Sequence, residues 1–92
     1  MKMIILIVKD NLTEVLMRAL TGAQYRVTGI ASTHGFLHSG VSTLLIGVED
    51  SQLESAIALI RSTLGTPSAE PPKVLEGQAT LFVVPVSRFE QV

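Results

Sequence analysis

Residues 3–8, MIILIV, form an unbroken apolar run the length of one strand, and the pattern that follows changes to a helical period. A short run rich in β-branched residues predicts a strand covered on both faces. Residues 12–20 place apolar side chains three and four positions apart, which predicts an amphipathic helix. The chain therefore opens with a strand that leads into a helix.

Working outward from this unit, turn residues and apolar periods predict three more strands and one more helix. The predicted strands are residues 25–33, 44–48 and 79–84, and the second helix is residues 53–64. The order β-α-β-β-α-β predicts an α+β, ferredoxin-like fold, in which two helices cover one face of a four-stranded antiparallel sheet.

Capping motifs predict where the helices begin and end. Asn11 with Glu14, and Ser51 with Glu54, have the spacing of capping boxes. Gly22 and Gly65 follow the two apolar stripes and are predicted to stop the helices.

Length and composition limit the class of protein. The chain has 92 residues, 47% hydrophobic and 16% charged, which indicates a single folded domain over residues 1–92. It has no apolar run of about 20 residues, so we expect no membrane insertion. The net charge is −1 and the charged residues are scattered along the chain, so we expect no nucleic-acid polymer as a partner. The absence of cysteine excludes disulfides, and the short N-terminal apolar run is unlike a signal peptide, which predicts a cytoplasmic protein.

Strand alternation predicts a second apolar sheet face that the two helices cannot cover. This face would expose Met3 and Ile5 or the alternate residues of the first strand, together with Ile30, Leu45 and one side of the last strand. Large exposed apolar patches usually mark interfaces, so we expect a homo-oligomer. The alternative is that the loop at residues 66–77, which holds three of the four prolines, folds over the face.

The segment between residues 26 and 47 carries the candidate binding residues. Arg26 and Thr28 share one strand face, and the neighbouring Gly47 is expected to leave room there for a flat group. Phe36 and its loop neighbours could stack on a nucleobase while Arg26 pairs with a phosphate. Equally, Phe36 and Leu37 could hold the loop on a neighbouring subunit.

Other candidate sites are weaker. His34 and His38 lie four residues apart in a loop without nearby Cys, Asp or Glu, so we expect solvated histidines and no metal. No catalytic motif is present, so the protein is not expected to be an enzyme or to need a cofactor. In the C-terminal SRFEQV, Phe89 is expected to pack, and Gln91 could hydrogen-bond a purine edge.

Three long stretches resemble the PII-like cyclic-di-AMP receptor family. They are MKMIILIVKDN at the start, YRVTGIASTHGFLHSGVSTLLIGVED from residue 25, and GQATLFVVPVSRFEQV at the end. The resemblance implies a homotrimer that binds cyclic di-AMP between subunits and signals to a protein partner. The positions that the resemblance assigns to the ligand cleft are Arg26, Thr28, Gly35, Phe36, Leu37, Val41, Gly47 and Gln91.

The chain departs from the family pattern at three places. Val41 replaces an Asn expected to hydrogen-bond adenine, His34 replaces a Gly, and residues 65–77 are shorter than the usual loop. These departures leave two candidate functions. The first is a trimeric receptor for cyclic di-AMP or a related adenine nucleotide, and the alternative is a trimeric interaction module that has lost this ligand.

Overall fold

The fold was analysed in a computed structural model, which describes residues 1–30, 40–65 and 79–92. Four strands and two helices follow the predicted order. The strands are β1 (Lys2–Lys9), β2 (Arg26–Ile30), β3 (Val41–Val48) and β4 (Ala79–Pro85), and the helices are α1 (Asp10–Gly22) and α2 (Leu53–Thr63). A single 3₁₀ turn, Asp50–Gln52, precedes α2.

The strands form one antiparallel sheet in the order β2-β3-β1-β4. This is the ferredoxin-like arrangement that the sequence predicted. The central strands β1 and β3 pair along their full length, from Lys2 opposite Val48 to Lys9 opposite Val41.

The core lies between the sheet and the two helices. Its fully buried members alternate along β1 and β3 and recur at helical spacing on α1 and α2. They are Ile4, Leu6, Val8, Leu16, Leu20, Leu44, Ile46, Val48, Ala56 and Ile60. Because this set occupies the even positions of β1 and β3, the odd positions of both strands point to the other face.

That other face, which we call the open face, is apolar as predicted. It carries Met3, Ile5 and Leu45 in a half-buried state on the central strands. Near the sheet edges Ile30 is 47% exposed and Phe82 is 50% exposed. The register places this surface on the side of the sheet opposite the core residues that pack on the helices. The loop that was considered as a cover, residues 66–77, lies outside the described residues.

Several predicted boundaries were wrong. Helix α1 begins at Asp10 with Lys9 as its N-cap and has no side-chain capping bond, so Asn11 and Glu14 form no capping box. The chain passes from β1 into α1 without a loop, which leaves no room for a cap at Asn11. The predicted capping box of Ser51 with Glu54 is also wrong, because α2 has Gln52 as its N-cap without a side-chain capping bond. A capping box forms instead between Glu49 and Gln52, at the start of the 3₁₀ turn.

Strand limits also differ from the prediction. Strand β2 begins at Arg26, after Tyr25, and the predicted residues 31–33 lie outside the described part of the chain. Strand β3 begins at Val41, three residues before the predicted start at Leu44, because it pairs with the whole of β1. No helix within the described ranges is both long and apolar enough to cross a membrane.

Candidate functional site

A cavity of about 450 Å³ opens on the open face, at the end of the sheet where β1 begins and β3 ends. Its walls come from β1, β2, β3 and the segment that follows β4. The lining includes Met3, Arg26, Thr28, Leu45, Gly47 and Phe89. The cavity therefore combines apolar surface with the Arg26 guanidinium and the Thr28 hydroxyl.

The strand register places Arg26, Thr28 and Gly47 on the same face. Arg26 is paired with Gly47, and Thr28 is paired with Leu45. Residues paired across an antiparallel ladder point to the same side of the sheet. The predicted grouping of these three residues is therefore confirmed, and it rests on the pairing of β2 with β3.

Gly47 provides space in the cavity beside Arg26. A Cβ atom built on Gly47 would lie 3.6 Å from Cε of Met1, which is ordinary van der Waals contact, and no other atom of the described residues lies within 4 Å. A larger side chain would extend further into the cavity that Met1 and Arg26 line. The prediction that this glycine leaves room on the sheet is confirmed.

The C-terminal segment holds the Arg26 side chain. The guanidinium Nη1 donates a hydrogen bond to Oε1 of Gln91 at 2.7 Å. The guanidinium carbon also lies 5.7 Å from the centre of the Phe89 ring, which is within cation–π range. Arg26 and Gln91 are thus brought together from positions 65 residues apart.

This contact requires the C-terminal segment to pass across the sheet. Strand β4 and strand β2 lie at opposite edges, separated by β3 and β1. Three strand spacings amount to about 14 Å. After Pro85 the backbone N–H of Val86 donates to the carbonyl oxygen of Met1 at 3.0 Å, which directs the segment toward the cavity. Sequence reasoning expected Phe89 to pack, but its ring is 54% exposed and faces Arg26 instead.

The N-terminal residue is held next to the same cavity. The Met1 ammonium group lies 3.0 Å from Oδ1 of Asp50. Its hydrogen bond and its charge, with a smaller contribution from Lys2, hold the pKa of the Asp50 carboxyl below the usual value of 3.8. The carboxylate is therefore ionised at neutral pH, and the ion pair is lost only when acid takes the pH down through that lowered pKa.

Charge at the cavity mouth is mixed. Lys2 and Arg26 supply two cations, and Glu49 supplies one carboxylate. The Glu49 side chain accepts a hydrogen bond from the backbone of the 3₁₀ turn, so it is oriented toward the helix start. The cavity can therefore offer a guanidinium and a hydroxyl to an anionic group, beside apolar surface that suits a flat ring.

Val41 lies far from this cavity. It is 42% exposed on the open face and occupies the first position of β3, whereas Gly47 is near the end of the strand. Six residues of extended chain span about 20 Å, which exceeds the reach of any side chain. One copy of the chain therefore does not bring Val41 together with Arg26 and Gln91. Gly35, Phe36 and Leu37, like His34 and His38, lie outside the described residues.

Comparison with known proteins identifies the family. Residues 1–68, about three quarters of the chain, match the cyclic-di-AMP receptor family. The chain belongs to the cyclic-di-AMP receptor family. The match includes Arg26, Thr28, Val41 and Gly47, and it ends before β4 and Gln91. It confirms the resemblance found in the sequence.

A solved structure of similar fold aligns with nearly the whole chain, including the residues after the family match. It is the crystal structure of a functionally unknown protein from Pediococcus pentosaceus ATCC 25745, which is 29% identical in sequence. The alignment has a TM-score of 0.72 and covers 99% of this chain and 96% of the other. The similarity therefore extends through β4 and the C-terminal segment that contacts Arg26.

Proposed function

We propose that this chain is a receptor for cyclic di-AMP that binds the dinucleotide between the subunits of a homotrimer. It would relay the bound state to a protein partner and would catalyse no reaction. The main support is the convergence of Arg26, Thr28 and Gly47 on one cavity of the open face, with Gln91 hydrogen-bonded to Arg26. These residues come from two strands and the C-terminal segment of a member of the receptor family.

The chemistry of a cyclic dinucleotide suits this cavity. Its phosphates would accept hydrogen bonds from the Arg26 guanidinium, and charge-assisted bonds of this kind are the stronger ones in proteins. The Thr28 hydroxyl can donate to a ribose or base acceptor. An adenine ring would lie on the apolar surface of Met3 and Leu45, in the space beside Gly47.

Two observations support a site shared between copies. Gly47 in the cavity and Val41 lie at opposite ends of β3, about 20 Å apart. The family resemblance nevertheless assigns both residues to the same ligand cleft. A second copy seated on the open face could bring its own Val41 end toward the cavity of the first. The same packing would cover the exposed apolar residues of that face.

Isothermal titration calorimetry with cyclic di-AMP, ATP, ADP and AMP tests the ligand. We expect cyclic di-AMP to bind with a stoichiometry of one per subunit and more tightly than the mononucleotides. Arg26→Ala should weaken binding by about 1 kcal/mol or more, which is roughly fivefold. Arg61→Ala, which removes an exposed cation from α2, is the matched control and should leave the affinity unchanged. No heat with any nucleotide at high micromolar concentration would contradict the proposal.

The alternative function is a trimeric interaction module that no longer binds this ligand. Val41 favours this alternative, because it is apolar and exposed at a position where the family resemblance implies an Asn. It predicts that the chain still assembles but gives no calorimetric signal with cyclic di-AMP. The same titration, combined with a mass measurement in solution, therefore separates the two functions.

A further inference from the structure

Phe89 has an environment unlike that of a core aromatic residue. Its ring is 54% exposed, lines the cavity and has the Arg26 guanidinium carbon 5.7 Å from its centre. An exposed aromatic ring gains little from burial in this position. Within the described residues, the Arg26 guanidinium lies over the Phe89 ring, so the ring can orient that group.

Arg26 is held by neutral groups within the described part of the chain. The ion pairs found there join Met1 with Asp50, Arg18 with Glu14, and Arg88 with Glu90. Arg26 instead contacts the amide oxygen of Gln91 and the face of Phe89. A carboxylate partner would neutralise the guanidinium, whereas an amide and an aromatic ring orient it and leave its charge available to an anion.

Orientation matters at this position because Arg26 is the first residue of the edge strand β2 and is exposed. A long side chain at such a position loses considerable conformational entropy when a ligand fixes it. A ring that already lies within cation–π range of the guanidinium reduces this cost before the ligand arrives.

From this geometry we propose that Phe89 is a positioning residue, which holds the Arg26 guanidinium in place for a phosphate group while leaving its charge unneutralised. The inference rests on the proposed function, since it assigns the C-terminal segment a role in recognising the anionic part of the ligand. Phe89 would act through Arg26 and not by stacking on the ligand.

A double-mutant cycle with cyclic di-AMP tests this mechanism. Phe89→Leu keeps the apolar bulk without the ring and should weaken binding about two- to fivefold, as expected for an exposed cation–π contact. Phe89→Tyr keeps the ring and should restore the wild-type affinity. In the Arg26→Ala background, Phe89→Leu should cause no further loss, because the group that it positions is gone. Affinities too weak for calorimetry can be taken from NMR titrations.

Two controls separate positioning from a general effect on the fold. Arg88→Ala changes the same segment at a residue paired with Glu90 and should leave the affinity unchanged. Thermal unfolding of Phe89→Leu should match that of the wild type, since the ring is half exposed.

A measurement without ligand tests the contact itself. The Nε–H proton of Arg26 should be shifted upfield by the ring current of Phe89, and the shift should disappear in Phe89→Leu and persist in Phe89→Tyr. The inference is wrong, and the proposed function stands, if the wild type binds cyclic di-AMP but Phe89→Leu weakens binding equally with and without Arg26. The same holds if the wild type binds but the upfield shift of the Arg26 proton is missing. If the wild type binds no nucleotide, both are overturned.

Discussion

Gly47 lies beside Arg26 for reasons of space and not of backbone conformation. Its φ lies outside the left-handed region, and among the residues that the structure describes a Cβ atom would meet only Cε of Met1, at 3.6 Å. A glycine in a strand without a conformational need costs stability, because it gains more entropy on unfolding than other residues do. Its presence is therefore best explained by the cavity that it leaves open.

Substitution of Gly47 should separate stability from binding. We expect Gly47→Ala to raise the free energy of unfolding by about 0.5–1 kcal/mol while weakening cyclic di-AMP binding. Gly47→Val should fill more of the cavity and reduce binding further. Thermal denaturation and calorimetry on the same samples measure the two effects. Unchanged affinity in both variants would show that the ligand does not use this space.

Val41 allows a gain-of-function test at the residue scale. It occupies a position where the sequence resemblance implies an Asn, and it is exposed on the open face. Val41→Asn would offer adenine a hydrogen bond worth about 1–3 kcal/mol in a site built for it. We therefore expect tighter binding of cyclic di-AMP, measured by calorimetry, with little change in binding of AMP. An equal or weaker affinity would indicate that this end of β3 is not part of the site.

At the scale of the elements, the two helices end in different ways. Gly65 follows α2 with a φ of +78°, and its N–H donates to the carbonyl oxygen of Ser62 at 3.1 Å. Gly22 is the last residue of α1, and the left-handed position after this helix is taken by Gln24, with a φ of +70°. The predicted stop at Gly65 is therefore confirmed. Helix α1 does end at Gly22, but Gln24, and not the glycine, takes the left-handed conformation expected just beyond the helix.

The same substitution should consequently have opposite effects at the two glycines. Gly65→Ala forces an L-residue into the left-handed region and should destabilise the fold by about 1–2 kcal/mol. Gly22 is helical, and no atom of the described ranges lies within 4 Å of an added Cβ, so Gly22→Ala should stabilise the fold by about 0.5 kcal/mol. Chemical denaturation of both variants provides the comparison. A similar change at both sites would contradict this account of the helix ends.

The start of β3 shows how one element extends another. Ser42 donates a hydrogen bond to the Asp10 carboxylate at 2.5 Å, and the Asp10 N–H donates to the carbonyl oxygen of Gly40 at 2.6 Å. These bonds join the beginning of β3 to the junction of β1 and α1. They explain why β3 is three residues longer than its own apolar pattern predicted.

At the scale of the whole molecule, the two faces of the sheet have different partners. One face packs on α1 and α2, and the other leaves Ile30, Val41 and Phe82 about half exposed. Covering such a surface is favourable by about 25 cal/mol per Å² of apolar area. This imbalance is the physical reason to expect assembly of several copies through the open face.

A matched pair of charge substitutions tests this expectation. Phe82→Glu places a carboxylate on the open face, and Val15→Glu places one at a similarly exposed apolar residue on α1. We expect the wild type and Val15→Glu to be trimers by light scattering coupled to size-exclusion chromatography. Phe82→Glu should be monomeric at micromolar concentration with its helical circular dichroism signal retained. A wild-type monomer, or a trimer in both variants, would remove the open face as the interface.

The order of elements and the faces of β2 and β3 were predictable from the sequence, because the period of apolar residues reports local geometry. The alternation in β3 assigned Leu45 to the open face and Leu44 to the opposite face, as the structure has them. Strand β1 is apolar on both sides, so its period left open whether Ile4 or Met3 faces the helices. The alternation in β2 and β3 also assigned Arg26, Thr28 and Gly47 to a common face. The candidate cavity was thus predictable in its strand residues.

Tertiary structure decided the contacts between distant parts of the chain. The meeting of Arg26 with Phe89 and Gln91 depends on a segment that crosses from one edge of the sheet to the other, and no local pattern near Phe89 encodes that path. The extension of β3 and the start of α1 at Asp10 likewise follow from bonds to other elements. Local periodicity determines which residues face the same way, whereas only the packed chain determines which side chains touch.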